Sequence, residues 1–300
     1  MTAAAPGGVL APLTTPFDAE TGDVAPLLLR QEARDLVAAG LDGVVVAGST
    51  GEAPLLDDAE VVRAVEWLRD VVPDDCWLVA GTGTESTRAA VRLARAAAAA
   101  GADAVLVRPP AYFASLLPPT AFAEHFRRVA DESPVPVIVY NIPKYTHVML
   151  QDATLRALAD HERIVGFKDS SGDLKVFAGF RAALPRAAGL VGSGALLYPA
   201  LELGAAGGVL GVACFAPALC ARLYAAFRAG DLAEAGALQE RLVTPNKEIV
   251  GGMGPAGIKA AMELVGLPGG PVRAPLHPLD AKQRARVKEL LAAAGLPAAA

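Results

Sequence analysis

The sequence has few cysteines, and what it has does not resemble a cross-link framework. Three cysteines, Cys76, Cys214 and Cys220, are spread over 300 residues. An odd number of widely spaced cysteines in apolar surroundings predicts buried thiols in a reducing cytoplasm, and it argues against disulfides. The four histidines show no metal-ligand spacing, so no metal site is expected.

Long apolar runs and basic clusters are also missing. No segment approaches the ~18 consecutive uncharged apolar residues of a membrane-spanning helix, and Met1–Pro6 lacks the pattern of an export signal. The net charge is −5, and the basic residues are scattered among acidic ones, which gives no electrostatic footprint for nucleic acid. We therefore expect a cytoplasmic protein that binds a small molecule, with no membrane or nucleic-acid partner.

What is present is a repeated strand–helix pattern. With 53% hydrophobic residues, the chain can bury a large core. Short apolar runs alternate with helical patterns up to about residue 230, which is typical of βα units around a parallel sheet. The predicted strands are Val9–Leu13, Gly43–Ala47, Trp77–Gly81, Ala104–Val107, Pro136–Tyr140, Ile164–Phe167, Leu190–Gly192 and Gly208–Val212. Eight such strands predict an α/β fold, the (β/α)8 TIM barrel.

Helix-end signals agree with this pattern. Asp57 with Glu60 has the form of a capping box, and Gly40 and Gly101 stand where glycines end helices. Beyond the barrel (residues 1–230), the sequence predicts a C-terminal helical appendage (residues 231–300). Its helices are expected near Leu232–Ile249, Gly257–Val265 and Asp280–Ala294, with a break at Pro268–Pro271 and an extended segment over Val272–Pro278.

The most informative residue is Lys168, which follows the apolar run Ile164–Phe167. Taken alone, a lysine at a strand end is usually a surface residue. In apolar surroundings, however, desolvation disfavours an ammonium group, so a lysine there can supply the free amine that forms a Schiff base with a carbonyl.

Two further motifs end predicted strands in the same way. The turn Gly48-Ser49-Thr50-Gly51 offers two hydroxyls and backbone N–H groups suited to a carboxylate, and Tyr140 ends the fifth strand with a phenol that can move protons. Alone, each could be structural. In a TIM barrel the carboxyl ends of the strands meet at one mouth, so these groups are expected to converge with Lys168.

In this order, the three motifs resemble the dihydrodipicolinate synthase and N-acetylneuraminate lyase family of pyruvate-dependent class I aldolases. The resemblance runs from Pro12–Phe17 to Arg273–Leu276. It implies that Lys168 forms the Schiff base, that Tyr140 is the acid/base, that Thr50 relays its proton, and that Ser49 with Thr50 holds the carboxylate. No metal or organic cofactor is needed for this chemistry.

The resemblance also implies further substrate-binding residues and a homo-oligomer, either a tetramer or a dimer. The substrate-binding positions are Gly51, the backbone carbonyl of Leu210, Ser170, Gly192, Tyr145 and Tyr112. Synthases of this family borrow a tyrosine from a neighbouring subunit. Here either Tyr112 retains that residue or Phe113 replaces it.

The departures from the synthase pattern concern the second substrate. Tyr145 stands where the synthase has an arginine that holds the aldehyde's carboxylate, and Gly192-Ser193-Gly194-Ala195 lacks the acidic pair with which the lyase grips a sugar. The pattern is most similar to the 4-hydroxy-2-oxoglutarate aldolase branch. Three alternatives stay open: a 4-hydroxy-tetrahydrodipicolinate synthase that joins pyruvate to aspartate semialdehyde, a sugar-acid lyase or dehydratase, and a 2-oxo acid binding protein without turnover.

Overall fold

The computed structural model describes residues 5–296 and contains a closed barrel of eight parallel strands. Each strand pairs with the next in the chain, and β8 closes the barrel on β1. The strands are β1 Gly8–Pro12, β2 Gly43–Val46, β3 Trp77–Gly81, β4 Ala104–Val107, β5 Val137–Asn141, β6 Ile164–Asp169, β7 Ala188–Val191 and β8 Gly207–Val209. The predicted TIM barrel with a C-terminal helical appendage is confirmed.

Helices follow the strands and surround the barrel. They are α1 Pro26–Ala38, α2 Asp58–Arg69, α3 Thr87–Ala99, α4 Pro119–Glu132, α5 Pro143–Thr146, α6 Asp152–Arg156, α7 Leu174–Ala183, α8 Leu197–Glu202, α9 Pro217–Ala229, α10 Leu232–Pro245, α11 Gly254–Leu264 and α12 Ala281–Ala293. The predicted capping box is present at the start of α2, where Asp57 and Glu60 each accept a backbone N–H of the other. Gly40 and Gly101 have positive φ angles of 95° and 107° just after α1 and α3, as the helix-end prediction requires.

Alternation along the strands decides which side chains face the barrel interior. The interior cluster consists of Leu10, Val45, Val79, Ala104, Leu106, Ile138, Tyr140, Ile142, Leu190 and Val209. Phe167 instead belongs to the outer core, with its ring centroid 5.5 Å from those of Phe177 and Phe180 on α7. Because neighbouring strand residues point to opposite faces, Lys168 is directed into the barrel beside Tyr140.

Several predicted boundaries need correction. Strand β6 continues through Asp169, so Lys168 lies within the strand. Strand β8 ends at Val209, because Gly211–Cys214 turns into a 3-10 helix. Strand β7 begins earlier than predicted, at Ala188, and ends before Gly192. The remaining strands agree with their predicted ranges to within one residue at each end.

The C-terminal region is more continuous than predicted. A π-helical segment over Asn246–Met253 joins α10 to α11, which begins at Gly254, so the gap expected between Ile249 and Gly257 is helical. The predicted extended segment Val272–Pro278 contains a turn, since the N–H of Leu276 donates to the carbonyl of Arg273 at 3.0 Å. The division of the chain into a barrel of residues 1–230 and a helical extension of residues 231–300 packed on it stays a prediction, and the last four residues lie outside the described range.

The cysteines match the sequence prediction in part. All three are free; Cys214 and Cys220 are buried, but Cys76 is partly exposed, which corrects the expectation for that residue. Burial raises the pKa of the Cys214 and Cys220 thiols, so both stay neutral. Within residues 5–296, no helix is both long and apolar enough to cross a membrane. The cytoplasmic location stays a prediction.

Candidate active site

Tyr140 and Lys168 lie side by side at the carboxyl end of the barrel. The register of β5 and β6 pairs the two residues directly. The Nζ atom of Lys168 is 4.3 Å from the centroid of the Tyr140 ring, and the two residues are only 4% and 5% exposed. This arrangement places a shielded amine beside a phenol that can donate or accept a proton.

The turn that follows β2 brings two hydroxyl groups to the same mouth. Ala47 before the turn and Glu52 after it have left-handed backbones, with φ angles of 53° and 58°. Gly81 permits the first of these, because a Cβ atom there would lie 2.0 Å from the Ala47 carbonyl oxygen. Such conformations cost on the order of 1–3 kcal/mol each for non-glycine residues, so packing around the turn must hold Ser49 and Thr50 in place.

Ser49, rather than Thr50, contacts the tyrosine. The Oγ atom of Ser49 is 3.5 Å from the Oη atom of Tyr140, and within the described residues no hydrogen bond joins Thr50 to Tyr140. The sequence had given the proton relay to Thr50. The relay role of Thr50 stays a prediction, and its hydroxyl lies on the same cavity wall as that of Ser49.

These groups line a cavity of about 260 Å³. Seven of the sequence-predicted site residues lie on its wall: Ser49, Thr50, Tyr140, Tyr145, Lys168, Ser170 and Gly192. Gly192 and Ser170 are in close contact, because a Cβ atom at Gly192 would lie 1.9 Å from the Ser170 hydroxyl. The remaining three predicted residues, Gly51, Leu210 and Tyr112, are not part of the wall.

Gly51 and Leu210 lie directly behind the wall. The carbonyl of Gly51 accepts a hydrogen bond from the Thr15 hydroxyl at 2.6 Å, which fixes the turn from below. The carbonyl of Leu210 accepts the N–H of Ala213 at 3.0 Å. A carbonyl oxygen can accept two hydrogen bonds, so the expected substrate contact of Leu210 stays a prediction.

Tyr112 lies far out on the loop between β4 and α4. Its side chain is 81% exposed, and the neighbouring Phe113 and Leu116 are 62% and 74% exposed. Glu85 fixes this loop by accepting the backbone N–H of Tyr112 at 2.8 Å. A single chain therefore does not bring Tyr112 or Phe113 to Lys168.

A buried polar network behind Lys168 was not predicted from the sequence. The Nδ2 atom of Asn141 donates to Oδ1 of Asp169 at 2.7 Å, and the hydroxyl of Ser171 donates to Oδ2 at 2.7 Å. Burial raises the pKa of Asp169, although these hydrogen bonds oppose the shift. The network fixes the ends of β5 and β6, and thereby the side chains of Tyr140 and Lys168.

The far wall of the cavity comes from the C-terminal helices, which sequence reasoning had placed outside the site. The wall residues from this region are Asn246, Val250, Gly251, Gly254, Pro255 and Ile258. The Nδ2 atom of Asn246 donates to the Ser193 hydroxyl, and its Oδ1 atom accepts the N–H of Gly194, both at 3.0 Å. In the sequence, the pair Gly251-Gly252 could have indicated that the backbone of this region approaches the site closely.

A larger cavity of about 520 Å³ adjoins the first and shares with it Ser49, Tyr140, Ile142, Tyr145 and Pro255. Its wall does not include Lys168, so the smaller cavity is the candidate site for Schiff-base chemistry. Among residues 5–296, no group of three or more His, Cys, Asp or Glu side chains could hold a metal ion.

Comparisons with known proteins agree with this geometry. The model of the dihydrodipicolinate synthetase family matches residues 5–294. A DapA-like lyase of Halobacterium salinarum is 41% identical over 289 residues, covering 96% of this chain and 94% of the relative. The 4-hydroxy-tetrahydrodipicolinate synthase 1 of Streptomyces coelicolor is 42% identical over 295 residues, covering 96% and 93%. The solved structure of YagE, an Escherichia coli K12 prophage protein in complex with pyruvate, superposes with a TM-score of 0.92 at 30% identity, covering 98% of this chain and all of YagE. The chain belongs to the dihydrodipicolinate synthetase family.

Proposed function

We propose that this protein, a lyase of the dihydrodipicolinate synthetase family, forms a Schiff base between Lys168 and the C2 carbonyl of a 2-oxo acid. The observation that carries the proposal is the buried amine of Lys168, 4.3 Å from the centre of the Tyr140 ring. YagE has been crystallised with pyruvate, which is the simplest such acid.

In the proposed mechanism, the Lys168 amine attacks C2 and Tyr140 protonates the departing hydroxyl, so that water leaves and an iminium forms. The Ser49 hydroxyl, 3.5 Å from Tyr140, relays the proton. Tyr140, which has given up its proton in forming the iminium, then takes the proton of the C4 hydroxyl. The C3–C4 bond breaks, its electron pair passes to the iminium to give an enamine, and an aldehyde departs. Reprotonation of the enamine and hydrolysis release pyruvate and the free amine.

The best-supported substrate is a short 4-hydroxy-2-oxo acid such as 4-hydroxy-2-oxoglutarate. Two features support it: Tyr145 replaces the arginine of the synthase pattern, and the loop after β7 carries small residues in place of an acidic pair. Burial, with a smaller contribution from Tyr140, raises the pKa of Tyr145, so its phenol offers a neutral hydrogen bond and no charge.

The alternative is a 4-hydroxy-tetrahydrodipicolinate synthase, which joins pyruvate to aspartate semialdehyde. It is favoured by the names of several relatives, including the Streptomyces coelicolor protein at 42% identity. A pyruvate-release assay over a panel of 4-hydroxy-2-oxo acids and sugar acids, beside a condensation assay with aspartate semialdehyde, tests both functions. If the protein turns over none of the tested substrates, the proposed function is wrong and a 2-oxo acid binding protein is favoured.

We also propose that the chain works as a homo-oligomer. The cluster of Tyr112, Phe113 and Leu116 exposes large apolar side chains on one loop, which is typical of a covered surface. Sedimentation analysis should therefore give a dimer or tetramer, as the family resemblance implies.

We expect Tyr140→Phe to lower kcat by about 10²-fold or more, the usual contribution of a general acid/base. The ring that packs on Lys168 is kept, so the fold and KM should change much less. Steady-state kinetics of pyruvate release measures this. Tyr198→Phe, on α8 outside the barrel, is the matched control and should retain the parent rate. If Tyr140→Phe keeps kcat within about threefold of the parent, the acid/base lies elsewhere.

We expect Tyr145→Arg to shift the enzyme towards the synthase reaction. A guanidinium at this position would gain a charge-assisted pair with the carboxylate of aspartate semialdehyde, worth about 1.5–3 kcal/mol or one to two decades in affinity. The ratio of kcat/KM for condensation to that for 4-hydroxy-2-oxoglutarate cleavage measures the shift. Tyr145→Phe, which adds no charge, is the control. A parent enzyme that already condenses aspartate semialdehyde faster than it cleaves any 4-hydroxy-2-oxo acid would establish the synthase function instead.

A further inference from the structure

The cavity around Lys168 has a one-sided charge. Its wall contains two lysines, Lys144 and Lys168, and no aspartate or glutamate among the described residues. The other ionisable groups of the wall are the phenols of Tyr140 and Tyr145. Such a cavity attracts anions, and it contains one lysine more than the Schiff-base reaction uses.

Lys144 is held in position without being neutralised. It lies on α5, which begins just after β5, and its Nζ atom donates to the carbonyl of Gly251 at 2.5 Å. The same ammonium lies 5.3 Å from the centroid of the Tyr145 ring. An ammonium has three donor hydrogens, and the contact with Gly251 uses one of them. Among the described residues, no carboxylate forms an ion pair with Lys144.

The two lysines lie at different depths of the cavity. Lys168 is 4% exposed at the bottom of the mouth, whereas Lys144 is exposed at the rim, next to the π-helical segment. In the proposed function, the turn with Ser49 and Thr50, which lines the same cavity as Lys168, holds the C1 carboxylate of the 2-oxo acid. The other end of the molecule then points towards the rim.

We propose that Lys144 binds the distal carboxylate of the substrate, so that the enzyme selects 2-oxo dicarboxylates over 2-oxo acids with an uncharged tail. The inference rests on the proposed function and adds the residue that determines specificity. Lys144 directly precedes Tyr145 in the chain, and the carbonyl of Gly251 anchors its ammonium from the opposite wall of the cavity.

Equilibrium binding tests this without requiring turnover. Isothermal titration compares 2-oxoglutarate with 2-oxopentanoate, which has the same carbon chain but ends in a methyl group. The parent should bind 2-oxoglutarate at least about tenfold more tightly, since the distal contact is a charge-assisted hydrogen bond. In Lys144→Met this preference should fall to within about threefold of unity, while Lys144→Arg should retain most of it.

Lys288→Met, on the exposed side of α12, is the control for loss of a positive charge and should keep the parent preference. An unchanged preference in Lys144→Met overturns the assignment, and so does a parent that fails to prefer 2-oxoglutarate or binds neither acid. The cleavage assay is a separate readout. If 4-hydroxy-2-oxoglutarate is not cleaved, the proposed reaction fails, and the binding ratio still decides the role of Lys144.

Discussion

Replacement of Lys168 by alanine is expected to lower turnover by at least ~10³-fold, because no other group can replace a covalent nucleophile. The side chain is 4% exposed and lies against Tyr140, so a surface amine cannot reach its position, and a water molecule there cannot form an imine. Pyruvate release from 4-hydroxy-2-oxoglutarate is the measurement, and circular dichroism verifies that the variant is folded. Activity within about tenfold of the parent would contradict Schiff-base catalysis by this residue.

Trapping identifies the lysine itself. Borohydride reduces an iminium to a stable secondary amine, so pyruvate with borohydride should add one adduct, located at Lys168 by peptide mass spectrometry. The other lysines of the chain are Lys144, Lys175, Lys247, Lys259, Lys282 and Lys288. Lys144 is the nearest competitor, but it lies at the exposed rim, where its Nζ atom donates to the carbonyl of Gly251. An adduct on Lys144, or one that persists in Lys168→Ala, would contradict the assignment.

The barrel and its reactive centre could be predicted because their signals are local. Apolar runs mark the strands, and a polar residue at the end of such a run marks the mouth. The pairing of Tyr140 with Lys168 follows from strand order and from the alternation of side chains, since Phe167 must face α7. Strand ends were less accurate, as in β8, where the 3-10 turn after Val209 depends on packing against the C-terminal helices.

The C-terminal wall could not be predicted because it depends on contacts between residues far apart in the chain. Asn246 reaches Ser193 and Gly194 across about fifty residues of sequence, and nothing in its own helix indicates that contact. The contact of the Ser49 hydroxyl with Tyr140 was not predicted either. The turn that carries Ser49 is flanked by left-handed backbones at Ala47 and Glu52, which non-glycine residues seldom adopt and which the sequence does not reveal.

The buried ion pair of Lys259 with Glu52 is the largest departure from what the sequence suggests. In a helical pattern, a lysine predicts a solvated face, yet the side chain of Lys259 is 2% exposed and that of Glu52 is fully buried. The Nζ atom of Lys259 donates to Oε1 of Glu52 at 2.6 Å and to the carbonyls of Thr15 and Pro271 at 2.7 and 2.6 Å. Burial lowers the pKa of Lys259, and the Glu52 carboxylate opposes that shift.

The ion pair of Lys259 and Glu52 connects helix α11, the loop at Thr15 and the segment Pro271–Arg273 to the turn Gly48–Gly51. Glu52 directly follows Gly51, and its Oε2 atom accepts the backbone N–H of Arg273 at 2.9 Å. The guanidinium of Arg273 in turn donates to both carboxylate oxygens of Glu60, at 2.8 and 2.6 Å. The C-terminal segment is thereby fixed against the turn that carries Ser49.

Removal of one charged side chain of the Lys259–Glu52 ion pair should therefore destabilise the folded enzyme. Lys259→Met leaves the Glu52 carboxylate buried without its cation, a loss that typically costs about 3–5 kcal/mol of unfolding free energy. Urea unfolding measures the loss of unfolding free energy, and Glu52→Gln should show a loss of similar size. The double variant Glu52→Gln with Lys259→Met leaves no uncompensated charge, so its loss should be smaller than the sum of the two single losses. Lys288→Met, on the exposed face of α12, is the control and should unfold like the parent. A loss below about 1 kcal/mol in Lys259→Met, or strict additivity in the double variant, would show that the pair does not hold the turn.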